Sequence, residues 1–134
     1  MHQVTQTIFH DDPQGRPGNC LQAATASLLE LPLDAVPHFV TFTDWLERFA
    51  AFCVAHGYRP LNRRLDAHVT YGMGWGPSPR AVRHAVCWAD GQMAWDPHPS
   101  RAGLLEVTEL IAFVPTPADG APALEEDFRV PDPH

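Results

Sequence analysis

The chain has 134 residues, 45% of them apolar and four of them Trp. That suits one domain, which buries roughly two-thirds of its unfolded surface without covalent or metal staples. Its formal charge of −7 and pI of about 5.5 argue against a nucleic-acid-binding surface, which is normally basic.

Residues 1–12 are weakly patterned; Val4, Ile8 and Phe9 predict a short strand or a packed arm. A turn-rich stretch follows, Gln14-Gly15-Arg16-Pro17-Gly18-Asn19, and it ends at Cys20. Asn19 is a good N-cap, which makes Cys20 the first residue of a helix running to about Leu31, before Pro32. Leu21, Ala24, Leu28 and Leu29 share one face, so this helix is expected at the centre of the core. Pro32 and Pro37 forbid a long helix over 31–39, which reads as a turn packing Val36 and Phe39, with His38 at the surface. Thr43 then caps a second helix over 44–56, stopped by Gly57. Trp45, Leu46, Phe49, Phe52 and Cys53 form its apolar stripe, so Cys53 is a core thiol.

Beyond Gly57 the pattern is that of strands. Residues 58–61 predict a strand or extended link, with Arg59, Arg63 and Arg64 on a solvated edge. Residues 68–71 are a second candidate. The segment 72–79, with Gly72, Gly74, Gly76, Pro77 and Pro79, reads as a loop with Trp75 at its tip. It is either a flexible connection or a substrate-facing loop, and it lacks the GK[ST] of a phosphate-binding loop. Residues 81–88 alternate as a strand, with Val82, His84, Val86 and Trp88 on one face and Cys87 on the other. After Ala89-Asp90-Gly91 the partner strand is 92–96, and a last strand spans 110–114. The fold class expected is α+β, an N-terminal pair of helices on an antiparallel sheet of four to five strands. Residues 1–114 form the domain and 115–134, rich in Pro, Ala and acid, a tail.

No apolar run reaches transmembrane length, and residues 1–5 lack the basic and apolar regions of a signal peptide. Neither a membrane partner nor secretion is expected. The three cysteines are odd in number and lack CxxC spacing, which predicts reduced thiols in a cytoplasmic protein, with no disulfide framework and no zinc ribbon.

The chemistry centres on Cys20. A thiol at a helix N-terminus meets orphan N–H groups and the positive end of the dipole, an environment that favours thiolate. Gln14, six residues earlier, is placed by the turn to return its amide beside the sulfur; with the Cys20 N–H it makes a minimal oxyanion hole. His84 stands on an otherwise apolar strand face. A three-residue hairpin loop sets Asp96 directly opposite it, whereas a two-residue Asp90-Gly91 turn sets Asp96 on the other face. In the first case Asp96 orients the imidazole and His84 acts as base and acid for Cys20. A metal reading of His84, Asp96 and His98 lacks a fourth ligand, so no metal or cofactor is expected. Trp75, Trp88 and Trp95 line a cleft or fill the core, and Cys87 packs.

Gln14, five residues, then Cys20 opening a helix, followed by His84 and Asp96 on adjacent strands, resembles the papain-like cysteine peptidase superfamily. Within it the chain is most similar to compact bacterial and phage branches such as the leader peptidases that process bacteriocins. The flanks Asn19-Cys20-Leu21 depart from the papain signature. Over roughly residues 8–114 the resemblance implies a helix packed on a small antiparallel sheet. It makes Cys20 the nucleophile, His84 the general base, Asp96 the orienting residue and Gln14 the oxyanion donor. It implies hydrolysis of a peptide or isopeptide bond in a peptide or protein substrate through an acyl thioester. The same constellation serves transglutaminases, arylamine acetyltransferases and deamidases, and a non-catalytic binding scaffold is the remaining alternative.

Overall fold

Apolar residues spaced three and four apart build two helices, and alternating segments build five strands. The computed structural model, which describes residues 1–116, joins them in an α+β fold. Helix α1 (Cys20–Leu29) is buried nearly all round: eight of its ten residues are inside. Its small residues let neighbouring chain approach closely, and Thr25 and Ser27 satisfy their hydroxyls on the Leu21 and Ala23 carbonyls at 2.7 and 2.8 Å. Buried leucines such as Leu21 and Leu28 each cost about 2–5 kcal/mol on truncation to Ala. The helix stops at Leu29, two residues earlier than its pattern predicts, because Glu30 turns left-handed and donates its N–H to the Ala26 and Ser27 carbonyls.

Asn19 is the N-cap residue by position but not by side-chain bonding. Its Oδ1 accepts the N–H groups of Thr7 (3.0 Å) and Ile8 (2.8 Å), and its Nδ2 donates to Thr7 Oγ1 and Gln22 Oε1. The amide thus clamps the N-terminal segment, which is a packed arm and not a strand, across the start of α1. Gln22 in turn holds the 31–39 segment, donating to the Leu33 and Val36 carbonyls. That segment contains the short 3₁₀ turn Leu33–Ala35 and runs into a second, Phe39–Thr41.

Helix α2 (Trp45–Ala55) is preceded by Asp44, not Thr43, at its N-cap; the Asp44 carboxylate takes Arg48 Nε at 2.6 Å. Phe49 and Cys53 face the core, and Phe39 meets the Phe49 and Phe52 rings edge-on at 5.5 and 5.7 Å.

The strands are β1 (Tyr58–Arg63), β2 (Tyr71–Pro77), β3 (Arg83–Ala89), β4 (Gln92–Trp95) and β5 (Glu109–Pro115). They form one antiparallel sheet in the order β1-β5-β2-β3-β4. Met73, Trp75, Ala85, Cys87, Ile111 and Phe113 pack one face against the helices. Arg59 and Arg63 lie on the edge strand β1, and Arg64 follows it.

The segment 72–79 is where the structure departs most from expectation. It is no loop: most of it is β2, paired on both sides, and 68–70 are not strand. Its glycines and its Met73 and Trp75 alternate with the pleat. The Trp88 ring lies over Gly74, where a Cβ would come within 2.8 Å of it, and a Cβ at Gly76 would stand 1.9 Å from the Glu106 carbonyl oxygen. Glycine here admits neighbours instead of breaking a strand. The sheet also runs past the expected boundary at 114, since Pro115 pairs with Tyr58. The predicted tail beyond Thr116 lies outside the described residues.

Candidate active site

Asp12 folds the turn before α1. Its Oδ2 accepts the N–H groups of Gln14 (3.1 Å) and Arg16 (3.0 Å), and the Arg16 guanidinium closes on both carboxylate oxygens. The turn therefore wraps around the Asp12 carboxylate, and its Gly15, Arg16, Pro17 and Gly18 line one cleft with Cys20. Gln14 is exposed and stands outside the cleft that Cys20 lines, which corrects its expected placement beside the thiol. The amide inside that cleft belongs to Gln6. It is 5% exposed, its Nε2 donates to the Ile8 carbonyl at 2.9 Å, and its Oε1 is buried without a protein partner. No spacing in the sequence marks Gln6. It comes to the cleft because Asn19 holds Thr7 and Ile8, a contact between residues 12 and 11 positions apart.

Cys20 opens α1 and is 6% exposed. Across the cleft, the hairpin of β3 and β4 brings in His84 and Asp96. The connection is the two-residue turn Asp90-Gly91, with φ of 55° and 80°. By itself that turn puts Asp96 on the face away from His84. A β-bulge reverses this: Trp88 pairs with Met93 but Cys87 with Trp95, so Ala94 is an extra residue and everything after it changes face. Asp96, just past β4, then meets His84, and Nε2 stands 2.6 Å from Oδ1. The expected pairing thus arises by a route other than the three-residue loop.

The pair is almost completely enclosed, with His84 and Asp96 side chains 3% and 0% exposed. Asp96 is saturated with donors. Its Oδ1 also accepts the His98 N–H at 2.9 Å, and its Oδ2 accepts the Gly103 N–H at 2.7 Å. Burial pushes its pKa up, but these three bonds and the imidazole's charge outweigh burial and bring it down to about 2. For His84 burial is again the largest single influence and lowers the pKa. Hydrogen bonding and charge from Asp96 and Cys20 overcome it and push the imidazole up to about 9. Asp96 takes Nε2, which leaves Nδ1 for the thiol.

The cleft is about 440 Å³, of a size that takes a small ligand or a short peptide segment. His98 lines it with its ring edge-on to His84 at 6.2 Å and to Phe9 at 5.4 Å. The tryptophans serve elsewhere. Trp75 is in the core, Trp88 covers Gly74, and Trp95 donates to the Val4 carbonyl beneath Arg101. Cys53 and Cys87 are both fully buried; Cys87 donates to the Ala24 carbonyl of α1. Burial raises both thiols, Cys87 to about 12.

Among the described residues no group of three or more His, Cys, Asp and Glu side chains is placed to hold a metal ion, and no helix is long and apolar enough to cross a membrane. Asp96, beside His84 and His98, has its oxygens taken by N–H donors. No protein family, no curated protein and no solved structure matches the chain.

Proposed function

We propose that this protein is a papain-like cysteine hydrolase that cleaves an amide bond in a peptide or protein. The observation that carries the reading is the enclosed His84–Asp96 pair, at 2.6 Å, facing a cysteine at the first position of a buried helix. Three residue types held in this relation are the minimum for nucleophile, proton carrier and orienting group.

In the proposed cycle the Cys20 sulfur attacks the scissile carbonyl carbon. The oxyanion formed is met by the Cys20 N–H, one of the orphan donors at the start of α1, and by the Gln6 amide turned from Ile8. His84 gives its proton to the departing amine as the C–N bond breaks, leaving a thioester. A water, deprotonated by His84, attacks that thioester; the S–C bond breaks and the thiolate returns. Asp96 keeps Nε2 protonated and Nδ1 directed at sulfur throughout. Attack by an amine instead of water makes the same intermediate an acyl-transfer species. Three free thiols fit work in a reducing compartment, the cytoplasm.

One observation favours a second reading, a binding scaffold: the Gln6 Nε2 is bonded to Ile8 and not turned to the sulfur. Alkylation by iodoacetamide, followed by mass spectrometry, separates the two. The hydrolase reading expects Cys20 to be modified selectively at about pH 6, ahead of Cys53 and Cys87, and His84→Gln to slow it at least tenfold. A Cys20 that is inert, or whose rate ignores His84, overturns the reading in favour of the scaffold.

A further inference from the structure

The whole chain carries a formal charge of −7, yet its cleft has the opposite sign. Among the described residues the lining includes Arg16, Arg80, Arg83 and three histidines, and neither Asp nor Glu. The three arginines are not equivalent. Arg16 is neutralised by Asp12, which takes both its Nε and Nη2. Arg80 donates from Nη1 to the Ser100 hydroxyl at 3.2 Å, and Arg83 from Nη2 to the Thr108 hydroxyl at 2.8 Å. Neither of these two meets a carboxylate among the described residues. The Nε of Arg83 is moreover buried with no protein acceptor.

A buried N–H without an acceptor is costly, and a guanidinium offers a planar fork of donors matched to a carboxylate. Arg83 directly precedes His84 in β3, and Arg80 lies in the turn before it. The two cleft-lining arginines that meet no carboxylate among the described residues therefore belong to the segment that carries the imidazole. We propose that the cleft selects an amide substrate bearing a carboxylate beside the scissile bond, held by Arg80 and Arg83. The inference rests on the hydrolase reading and names its substrate class.

Two reagents of nearly equal size test it, anionic iodoacetate and neutral iodoacetamide, on the full chain. The ratio of their rates at Cys20 cancels changes in the thiol's own reactivity. The ratio should fall about threefold or more in Arg80→Gln and in Arg83→Gln, and should fall in the unaltered protein as salt rises to about 0.5 M. Arg80 lies outside the strands, so Arg80→Gln remains informative if Arg83→Gln fails to fold. An inert Cys20 defeats the hydrolase reading itself. A reactive Cys20 whose ratio ignores Arg80 defeats only the substrate class.

Protection of Cys20 from iodoacetamide then identifies the carboxylate. N-acetylglutamate α-amide carries only a side-chain carboxylate and N-acetylalanine only a terminal one; protection by either supports the proposal and names the source. Equal protection by N-acetylglutamine amide, which is neutral, overturns it. So does protection by inorganic phosphate with none from the carboxylates.

Discussion

Asp96 is the most constrained residue of the site. It accepts three hydrogen bonds with its carboxylate fully enclosed, so its charge is held by geometry and not by solvent. Replacing it by Asn keeps the shape but puts an N–H donor or a weaker acceptor where three donors converge. A cost on the order of 3 kcal/mol is expected, typical of breaking one partner of a buried pair. The pH dependence follows from both groups. The folded pKa of His84 lies above 6.5, so its stabilisation is complete below that value and is lost as pH rises through about 9. The folded pKa of Asp96 lies below 3.8, so its stabilisation is complete above that value and is lost as pH falls through about 2. Urea denaturation of the native protein and of Asp96→Asn across pH should therefore show the widest gap between about pH 4 and 6.5, narrowing toward about pH 9. A gap independent of pH would contradict the charged pair.

At the scale of elements, the β3–β4 hairpin is the device that assembles the site. The Asp90-Gly91 turn and the Ala94 bulge each move the register by one, and only together do they set Asp96 on the face of His84. Deleting Ala94 should send Asp96 to the opposite face, abolish the low-field NMR proton of the His84–Asp96 bond and lower the His84 titration midpoint. Inserting one Gly into the turn of that deletion variant should restore parity and both signals. Recovery absent in the double variant would show that bulge position, and not parity, is what matters. Helix α1 contributes in a different way. Its small buried residues let β3 approach, and its first residue is thereby fixed against the hairpin. Strand β2 supports both, its glycines making room for Trp88 and for the backbone at Glu106.

Across the whole molecule the three thiols report on different depths. Cys53 and Cys87 are fully buried where α2 and α1 meet the core, while Cys20 lines the cleft. In native protein, Cys53 and Cys87 should be alkylated at one common rate set by global opening, with the denaturant dependence of complete unfolding; Cys20 should not follow it. Separate rates for Cys53 and Cys87 would show that the helices open independently. Much of this architecture was legible in the chain. Both helices follow from stripes such as Trp45, Phe49 and Cys53, and β3 from its alternation, because periodicity reports which side of an element faces the core. The reactive types Cys20, His84 and Asp96 were also legible as candidates, since few residues carry such chemistry. Other features were decided by contacts distant in sequence. Glycine in β2 reads as a loop until Trp88 and the Glu106 backbone fill the space that its missing side chains leave. Gln14 reads as the nearest amide until Asp12 claims its turn and Asn19 draws Gln6 inward. Local pattern thus determined both helices, the strands other than β2, and which residues can do chemistry. Only the tertiary structure decided which of them meet, because a one-residue bulge or a buried carboxamide redirects a side chain without altering the periodicity around it.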